Sequence, residues 1–272
     1  MDGGTITSFR NPRVKFAREL LRSRKSRAES GLTLIEGYRA VSRALDAGIA
    51  FRECFYAPRL FLGGNEEALL KSLGGSGAVL TEVSEEVLRK MAYRDRPEGV
   101  VAVVETPRRG LDGLPARRGG LYLVAESIEK PGNVGAMLRS LDGAGADGLI
   151  LCGAKSDVFN PNVVTASTGA VFSFPLAEAS NEEALEWLRE LGIPVLAATP
   201  EGAVDYRGVD YSKGAALVVG AEQYGLSGFW KDNADARVAI PMRGRVVDSL
   251  NVATAAAVLV FHAVAGRGER QG

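Results

Sequence analysis

The chain has 272 residues, of which 46% are hydrophobic, so it can bury the cores of two modest domains or of one large one. Lys and Arg together number 33, as do Asp and Glu, so the net charge is zero and does not by itself indicate a nucleic-acid partner. The sequence shows no apolar run long enough to span a bilayer, and its first residues lack the apolar core of a signal peptide, which favours a cytoplasmic location.

The cysteines and the histidine argue against several kinds of site. Cys54 and Cys152 are too far apart in the sequence to form a redox or metal-binding motif, and we expect both to be reduced core residues. His262 is the only histidine and lies in an alanine-rich segment, where packing is the ordinary explanation. A Ser-His triad and a histidine zinc site are therefore not expected, and no metal is predicted.

Strands and helices alternate over the first part of the chain, which predicts an α/β domain at residues 1–106. Hydrophobic periodicity gives these elements in chain order: a helix at 11–26, a strand at 32–36, a helix at 38–47, a strand at 53–57, alternating segments at 66–72, 79–82 and 85–91, and a strand at 100–105.

A segment rich in Pro, Gly and charge at residues 107–119 predicts a linker to a second domain, 120–272. That domain opens with an apolar strand at 121–125, followed by a loop and a helix at 134–141. Further apolar runs predict strands at 148–152, 170–175, 194–199, 215–220 and 237–241, and a last helix at 252–264. Strands that are apolar along their whole length are typical of a mostly parallel sheet covered on both faces.

The N-terminal segment carries a cluster of basic side chains. Between residues 10 and 27 only Glu19 is acidic, whereas the basic residues are Arg10, Arg13, Lys15, Arg18, Arg22, Arg24, Lys25 and Arg27. Such a run is either the solvated face of a helix or a surface that contacts phosphate groups. The run alone leaves both interpretations open.

Three segments of the second domain combine glycines and polar side chains with the ends of predicted strands. Residues 131–139 read PGNVGAMLR, residues 219–227 read VGAEQYGLS, and residues 238–252 read VAIPMRGRVVDSLNV. Ligands of parallel α/β sheets bind at the carboxyl ends of the strands. We therefore expect these segments to contribute to one site.

Neither common nucleotide-binding loop is found in the sequence. A dinucleotide fold needs G-x-G-x-x-G after its first strand, whereas residues 132–135 read GNVG without a third glycine in place. The chain also lacks the G-x-x-x-x-G-K-[ST] phosphate loop. An NAD-dependent oxidoreductase and a nucleoside triphosphatase are therefore disfavoured.

In their order and spacing, the three segments resemble the signature motifs of the SpoU/TrmH family of RNA ribose 2′-O-methyltransferases, within the SPOUT superfamily; the resemblance covers residues from about 120 to 265. It implies an α/β fold whose mostly parallel sheet carries a deep trefoil knot, S-adenosyl-L-methionine as cofactor, and a homodimer in which an arginine acts across the interface. The implied activity is methyl transfer to a ribose 2′-hydroxyl, in ribosomal RNA (rRNA) first and in transfer RNA as the alternative.

The resemblance also implies site residues. Those implied for the transfer reaction are Asn133, Arg139, Glu222, Ser249 and Asn251. Those implied for cofactor binding are Ala198, Thr199, Val219, Gly220, Glu222, Gly225, Leu226, Ile240, Met242, Ser249, Leu250 and Val252. On residue chemistry alone, the asparagines and the serine could instead cap helices, and the glycines could serve turn geometry.

Methyl transfer from a sulfonium to a hydroxyl neutralises charge, so the enzyme must mainly align the reacting atoms and make the hydroxyl more nucleophilic. Arginine keeps its proton in proteins. We therefore expect Arg139 to clamp the RNA phosphate and O2′, while a phosphate oxygen or water removes the proton. Asn133 and Glu222 would position Arg139 or the ribose, and Ser249 and Asn251 would orient the target.

The first domain is similar in element order to the ribosomal-protein L30e-like domain that helps to choose the RNA in this family, with LIEG at residues 34–37 and GVVAVV at 99–104. The RNA contacts that we predict from it are Arg10, Arg22, Arg24, Lys25, Arg94 and Arg96. A non-catalytic RNA-binding module of the same fold is the alternative to an enzyme, and the joint presence of all five residues implied for transfer favours the enzyme.

Two segments depart from the family pattern. Glu129-Lys130 precedes Pro131 where an acidic residue often stands next to the proline, and Gln223-Tyr224 fills a loop often made of smaller residues. The target nucleotide is therefore not predicted from the motifs.

Overall fold

The computed structural model describes residues 4–153, 156–246 and 248–267. The chain forms two compact units: Met1–Pro107 with Val158–Ser173, and Arg108–Asp157 with Phe174–Gly272. The first unit therefore includes a second segment of the chain, Val158–Ser173. Two independent domains joined by a linker at residues 107–119 stay a prediction. Within the described ranges, no helix has both the length and the apolar character needed to cross a bilayer.

The secondary structure follows the sequence in this order. The helices are α1 Pro12–Arg22, α2 Arg24–Ser30, α3 Tyr38–Asp46, α4 Glu66–Gly75, α5 Glu85–Met91, α6 Pro131–Ala144, α7 Pro161–Ala166, α8 Ala170–Ser173, α9 Asn181–Glu190, α10 Gly228–Asn233 and α11 Val252–Gly266. The strands are β1 Leu32–Glu36, β2 Phe51–Tyr56, β3 Val79–Glu82, β4 Val100–Glu105, β5 Leu121–Glu126, β6 Gly148–Cys152, β7 Leu176–Ala179, β8 Val195–Ala198, β9 Val204–Asp205, β10 Ala215–Val219 and β11 Ala236–Ala239.

The first unit is built on a mixed sheet in the order β1-β4-β2-β3, in which β4 is antiparallel to both of its neighbours. Helix α1 buries Val14, Ala17 and Leu20 in the core of this unit, and each fully buried aliphatic side chain of the size of Val or Leu contributes about 1.5–3 kcal/mol. The single helix predicted at residues 11–26 is wrong. The chain bends at Ser23, whose hydroxyl accepts the N–H of Ser26 at 3.1 Å and starts α2.

Residues 158–173 pack within the first unit. Thr33 Oγ1 donates to the carbonyl of Phe159 at 3.2 Å, and Arg43 Nη1 donates to the carbonyl of Thr168 at 2.7 Å. Gly169 has a φ of +87°, and a Cβ there would lie 2.7 Å from the Cα of Ala40. The strand predicted at 170–175 is wrong, because Ala170–Ser173 forms α8 and the strand begins at Leu176. A short apolar run cannot be assigned to helix or strand by periodicity.

The second unit is a fully parallel sheet of seven strands in the order β7-β6-β5-β10-β8-β11-β9. Helices α9 and α10 cover one face, and α6 and α11 pack together on the other. The predicted α/β class with a mostly parallel sheet is therefore confirmed. From β5 the chain first adds β6 and β7 on one side and then crosses to β8 on the other. Open sheets bind ligands where the strand order reverses in this way.

The core on the α9 and α10 face holds Tyr122 and Val124 from β5 and the fully buried Trp230. The rings of Tyr122 and Trp187 meet edge to face at 5.1 Å. Cys54 and Cys152 are both buried and free, as predicted, and burial raises the pKa of each thiol to about 12.

Candidate functional site

Polar side chains from three loops meet at the carboxyl end of the parallel sheet. Asn133 Nδ2 donates to Glu222 Oε1 at 2.5 Å, and Asn251 Nδ2 donates to the same oxygen at 2.8 Å. Asn251 Nδ2 also lies 3.3 Å from Asn133 Oδ1, and Lys130 Nζ forms an ion pair with Glu222 Oε2. We call Lys130, Asn133, Glu222 and Asn251 the Glu222 cluster. It joins three of the predicted residues and one that was not predicted.

The ends of two helices place the asparagines of the cluster. Pro131 is the first residue of α6, where its fixed φ and missing N–H are tolerated, and Lys130 is the N-cap. Asn133 is thus the third helical residue, so it does not cap the helix, which was the alternative on residue chemistry alone. Asn251 is the N-cap of α11, because its Oδ1 accepts the N–H groups of Ala253 at 3.0 Å and Thr254 at 3.4 Å.

Glu222 is the electrostatic centre of the cluster. The hydrogen bond from Lys130 is the largest influence and lowers the pKa of the Glu222 carboxyl below its ordinary value of 4.5; partial burial opposes this, and the Asn133 hydrogen bond reinforces it. The group is therefore an ionised acceptor at neutral pH. Only 28% of its side chain is exposed, and its donors fix both oxygens.

The loop that carries Glu222 is held at both ends. Glu126, the last residue of β5, is 5% exposed and accepts the N–H of Ser227 at 2.8 Å and its hydroxyl at 2.7 Å. At the other end, a Cβ at Gly220 would overlap the backbone of Gly225 and Leu226. The loop is therefore a closed turn that presents Glu222 in one place.

A cavity of about 180 Å³ lies beyond the carboxyl ends of β8 and β11, and we call it the β8–β11 cavity. The predicted cofactor residues that line it are Ala198, Thr199, Ile240, Met242, Ser249 and Leu250. The rest of the lining is Pro200, Val238, Ala239, Asp248, Ala255 and Leu259. Aliphatic walls with a few polar groups suit a nucleoside, which has an apolar ring and hydroxyl groups.

The other predicted cofactor residues lie outside this cavity. Val219 and Leu226 are buried, and Gly220 and Gly225 shape the Glu222 loop. Glu222 and Val252 line a second pocket of about 190 Å³, which we call the Glu222 pocket. The residues that line it are Ile128, Glu129, Lys130, Asn133, Ala221, Glu222, Gln223 and Val252.

Arg139 and Ser249 are not part of the Glu222 cluster. Ser249 Oγ donates to Asp248 Oδ1 at 3.2 Å at the edge of the β8–β11 cavity. Arg139 is exposed on α6, and no residue that the structure describes forms a hydrogen bond or ion pair with its side chain. It lies six residues after Asn133, about 9 Å along the helix and about 120° around it. Within one chain, α6 therefore turns Arg139 away from Asn133.

The predicted RNA-binding residues of the first unit differ in their surroundings. Arg10, Arg24, Lys25 and Arg96 are exposed, and Arg22 ends α1. Arg94 is half-buried: its Nε lies 3.5 Å from buried Glu36, and its Nη1 pairs with Glu98. Burial raises the pKa of Glu36, against hydrogen bonds from the N–H groups of Tyr93 and Arg94. Arg94 is therefore engaged by carboxylates.

Sequence reasoning assigned no role to Lys130 or Glu126. A cation directly before a proline that starts a helix, in a motif loop, was the available signal for Lys130, and an acid that ends a wholly apolar strand was the signal for Glu126. Across residues 4–153, 156–246 and 248–267, no group of three or more His, Cys, Asp or Glu side chains is arranged to hold a metal ion.

Both parts of the chain match known families. Residues 120–261 match the SpoU rRNA Methylase family, and residues 11–102 match the MRM3-like substrate binding domain. A 23S rRNA (uridine(2479)-2′-O)-methyltransferase of Streptomyces viridochromogenes is 35% identical over 269 residues, which cover 96% of this chain and 92% of that protein. The 23S rRNA (guanosine(2553)-2′-O)-methyltransferase RlmP of Bacillus subtilis is 28% identical, with 94% and 98% covered.

Solved structures match over nearly the whole chain. An rRNA methyltransferase from Sinorhizobium meliloti, bound to S-adenosylmethionine (AdoMet), has a TM-score of 0.86 and 36% identity, covering 95% of this chain and 96% of that chain. The SpoU methyltransferase AviRb from Streptomyces viridochromogenes, in complex with AdoMet, has a TM-score of 0.85 and 32% identity, covering 94% and 99%.

Proposed function

The chain belongs to the SpoU rRNA Methylase family, and from this premise we propose that it methylates a ribose 2′-hydroxyl of ribosomal RNA with S-adenosylmethionine. The family resemblance inferred from the three motifs is thereby confirmed. The observation that carries the proposal is the Glu222 cluster beside the β8–β11 cavity. The cluster lies beyond the carboxyl ends of β5 and β10, where the strand order of the sheet reverses. We favour ribosomal over transfer RNA because two relatives spanning more than nine tenths of the chain are named 23S rRNA methyltransferases.

The β8–β11 cavity fits the cofactor. Its aliphatic side chains, among them Ile240 and Leu250, would hold the adenine ring, and Thr199 and Ser249 would bind hydroxyl groups. When bound there, S-adenosylmethionine supplies an electrophilic methyl group. The Glu222 loop would affect cofactor binding only through its shape, to which four predicted residues contribute: Val219, Gly220, Gly225 and Leu226.

The chain's own residues would supply alignment and activation. The Glu222 cluster would fix the ribose beside the cofactor, since its members already hold one another in place. Arg139 would clamp the adjacent phosphate and O2′, which makes the hydroxyl more acidic, and a phosphate oxygen or water would accept the proton. This assignment needs Arg139 to reach a site that its own helix does not face.

The proposed function is tested with the purified protein, S-adenosylmethionine and ribosomal RNA from a strain that lacks the gene, in the presence of EDTA. We expect ribose methylation at one position and stabilisation of the protein against heat by the cofactor alone. Arg139→Ala should abolish single-turnover transfer with little change in cofactor affinity, and Arg139→Lys should rescue poorly, because an ammonium lacks the fork geometry.

If the wild-type protein does not methylate the RNA, the proposed function is contradicted. If Arg139→Ala transfers the methyl group at the wild-type rate, the proposed role of the arginine is contradicted. The EDTA in the assay tests the predicted independence from metal. Transfer RNA as a second substrate tests the alternative target.

We also propose a homodimer in which Arg139 completes the partner's site. Helix α11 contains no Asp, Glu, Lys or Arg, and its Phe261 is 51% exposed, which suits an apolar subunit interface. Mixed subunits of Arg139→Ala and Glu222→Ala, each inactive alone, should regain about a quarter of wild-type activity, because half of the random dimers carry one intact site. Activity that stays absent in proven mixed dimers would rule out a shared site.

Two further family properties are part of the proposal. Strand β10 lies between β5 and β8, and α11 returns to pack on β10 and β5, an arrangement that supports a knot formed by the loops after β8, β10 and β11. Action on ribosomal RNA supports a cytoplasmic location, and fractionation of cells with an antibody to the protein tests it.

A further inference from the structure

The Glu222 pocket has a chemistry of its own. Ile128 and Val252 are 3% and 7% exposed and give it an apolar side. The polar side holds the Glu129 and Glu222 carboxylates, the Lys130 ammonium and Gln223. The exposed amide of Gln223 makes no hydrogen bond to any residue in the described ranges. At about 190 Å³ it is smaller than the roughly 300–1,000 Å³ of sites for drug-sized ligands. It fits one ring system beside a charged group.

The Lys130 ammonium can donate further hydrogen bonds to a ligand. An ammonium carries three N–H donors, and in the Glu222 cluster Lys130 pairs with one oxygen of Glu222. Its side chain is 70% exposed, so the remaining donors face solvent. A phosphate oxygen is a strong acceptor for such a group.

The pocket adjoins the β8–β11 cavity through three consecutive residues. Leu250 lines the cavity, Asn251 belongs to the Glu222 cluster, and Val252 lines the pocket. Two residues of chain span at most about 7 Å. A ligand in the pocket and a ligand in the cavity would therefore meet at Asn251, within the reach of one nucleotide.

We propose that the Glu222 pocket receives the target nucleotide of the RNA, with its base against Ile128 and Val252 and its phosphate on Lys130. Gln223 then contacts an edge of the base and contributes to its selection. The inference rests on the proposed function, since it assumes an RNA substrate.

The first test measures binding without turnover. The intact protein, saturated with S-adenosylhomocysteine, is titrated by NMR with the four ribonucleoside 3′- and 5′-monophosphates and with the nucleosides that lack phosphate. We expect at least one monophosphate to bind more tightly than its nucleoside. Lys130→Gln should remove that advantage, Lys130→Arg should keep part of it, and Gln223→Ala should change the order of preference among bases.

Lys130→Gln is suitable because its amide can still donate to Glu222 while the charge is lost. The matched control is Lys213→Gln, which removes the same charge from an exposed lysine at the amino end of β10, the opposite end of the sheet. The control should bind as the wild-type protein does. If the wild-type protein binds no monophosphate, the pocket assignment is overturned.

The second test measures transfer to RNA. Lys130→Gln should raise the KM for RNA several-fold, with cofactor affinity nearly unchanged, and should reduce the salt dependence of RNA binding by about one unit or less of the log-log slope. Unchanged KM and salt dependence would overturn the role of Lys130. Failure of the proposed function itself is distinguishable, because the wild-type protein would then methylate no RNA while the nucleotide titrations still report on the pocket.

Discussion

Asn251 combines a structural and a site role in one amide group. Its oxygen caps α11 by accepting two backbone N–H groups, and its nitrogen donates to Glu222 and Asn133. The same side chain thereby starts a helix and fixes the orientation of a carboxylate 29 positions away in the sequence. Substitutions can separate the two roles, because serine caps helices as well as asparagine but has no amide nitrogen.

At this position we expect Asn251→Ala to lose about 1 kcal/mol of folding free energy through the missing cap, whereas Asn251→Ser should stay close to wild type in stability. Both should lower kcat by about tenfold or more, because neither retains the amide that donates to Glu222. Urea unfolding and single-turnover transfer measure the two effects. Full activity in Asn251→Ser would show that the cap alone matters.

Motif spacing predicted most members of the Glu222 cluster but not how they interact. Asn133, Glu222 and Asn251 were identified, whereas their mutual hydrogen bonds and the ion pair of Lys130 depend on three loops far apart in the sequence. Arg139 shows the same limit, since only the helix geometry reveals that it faces away from Asn133. The spacing of a motif identifies candidate residues, whereas their angular positions around a helix determine which of them can contact one another.

The loop between β10 and α10 depends on glycine for two different reasons. A Cβ at Gly220 would overlap backbone atoms of Gly225, which cannot move without opening the turn. Gly225 instead needs its positive φ of +66°, and its Cβ position is open. Backbone contact and backbone conformation can therefore be tested separately within one element.

We expect Gly220→Ala to displace the Glu222 loop, with loss of most methyl transfer and weaker cofactor binding. Gly225→Ala should cost only about 1–2 kcal/mol for the left-handed conformation and should keep measurable activity. Calorimetric titration with S-adenosylmethionine and the transfer assay compare the two variants. Equal effects of both substitutions would argue against the overlap at Gly220.

Long elements with a clear pattern were predicted well, and short ones were not. The apolar strands of the parallel sheet follow from their continuous hydrophobic runs. Helix α6 starts at Pro131, ahead of the predicted 134, because proline and glycine are tolerated in a first turn although they disfavour helix interiors. Helices α7 and α8 and strand β7 have six residues or fewer, too few for periodicity to distinguish helix from strand.

Charge is distributed unevenly over a molecule whose net charge is zero. The basic residues of α1 and α2 belong to the first unit, and the Glu222 cluster belongs to the second. Under the proposed function, the first would raise affinity for RNA in general and the second would act on one ribose. Affinity and chemistry should then respond to different substitutions.

Replacing Arg22, Arg24 and Lys25 together by Gln should weaken RNA binding and reduce its salt dependence, by about one unit or less of the log-log slope for each phosphate that is no longer neutralised. Single-turnover rates at saturating RNA should stay near wild type. The control replaces three exposed basic residues elsewhere in the first unit, Arg59, Lys71 and Lys90. If the rate at saturating RNA falls in the first variant but not in the control, the two roles are not separate.

The first unit is built from two separate segments of the chain, and this affects the order in which the protein folds during synthesis. Val158–Ser173 supplies the partners of Thr33 and Arg43, yet β5, α6 and β6 of the second unit precede it in the sequence. Since a ribosome makes the chain from its N-terminus, the first unit cannot complete these contacts until residue 173 has emerged. The strands β8, β10 and β11 and the loops that form the site follow later still. The nascent chain therefore completes the unit with the basic helices before it can complete the site.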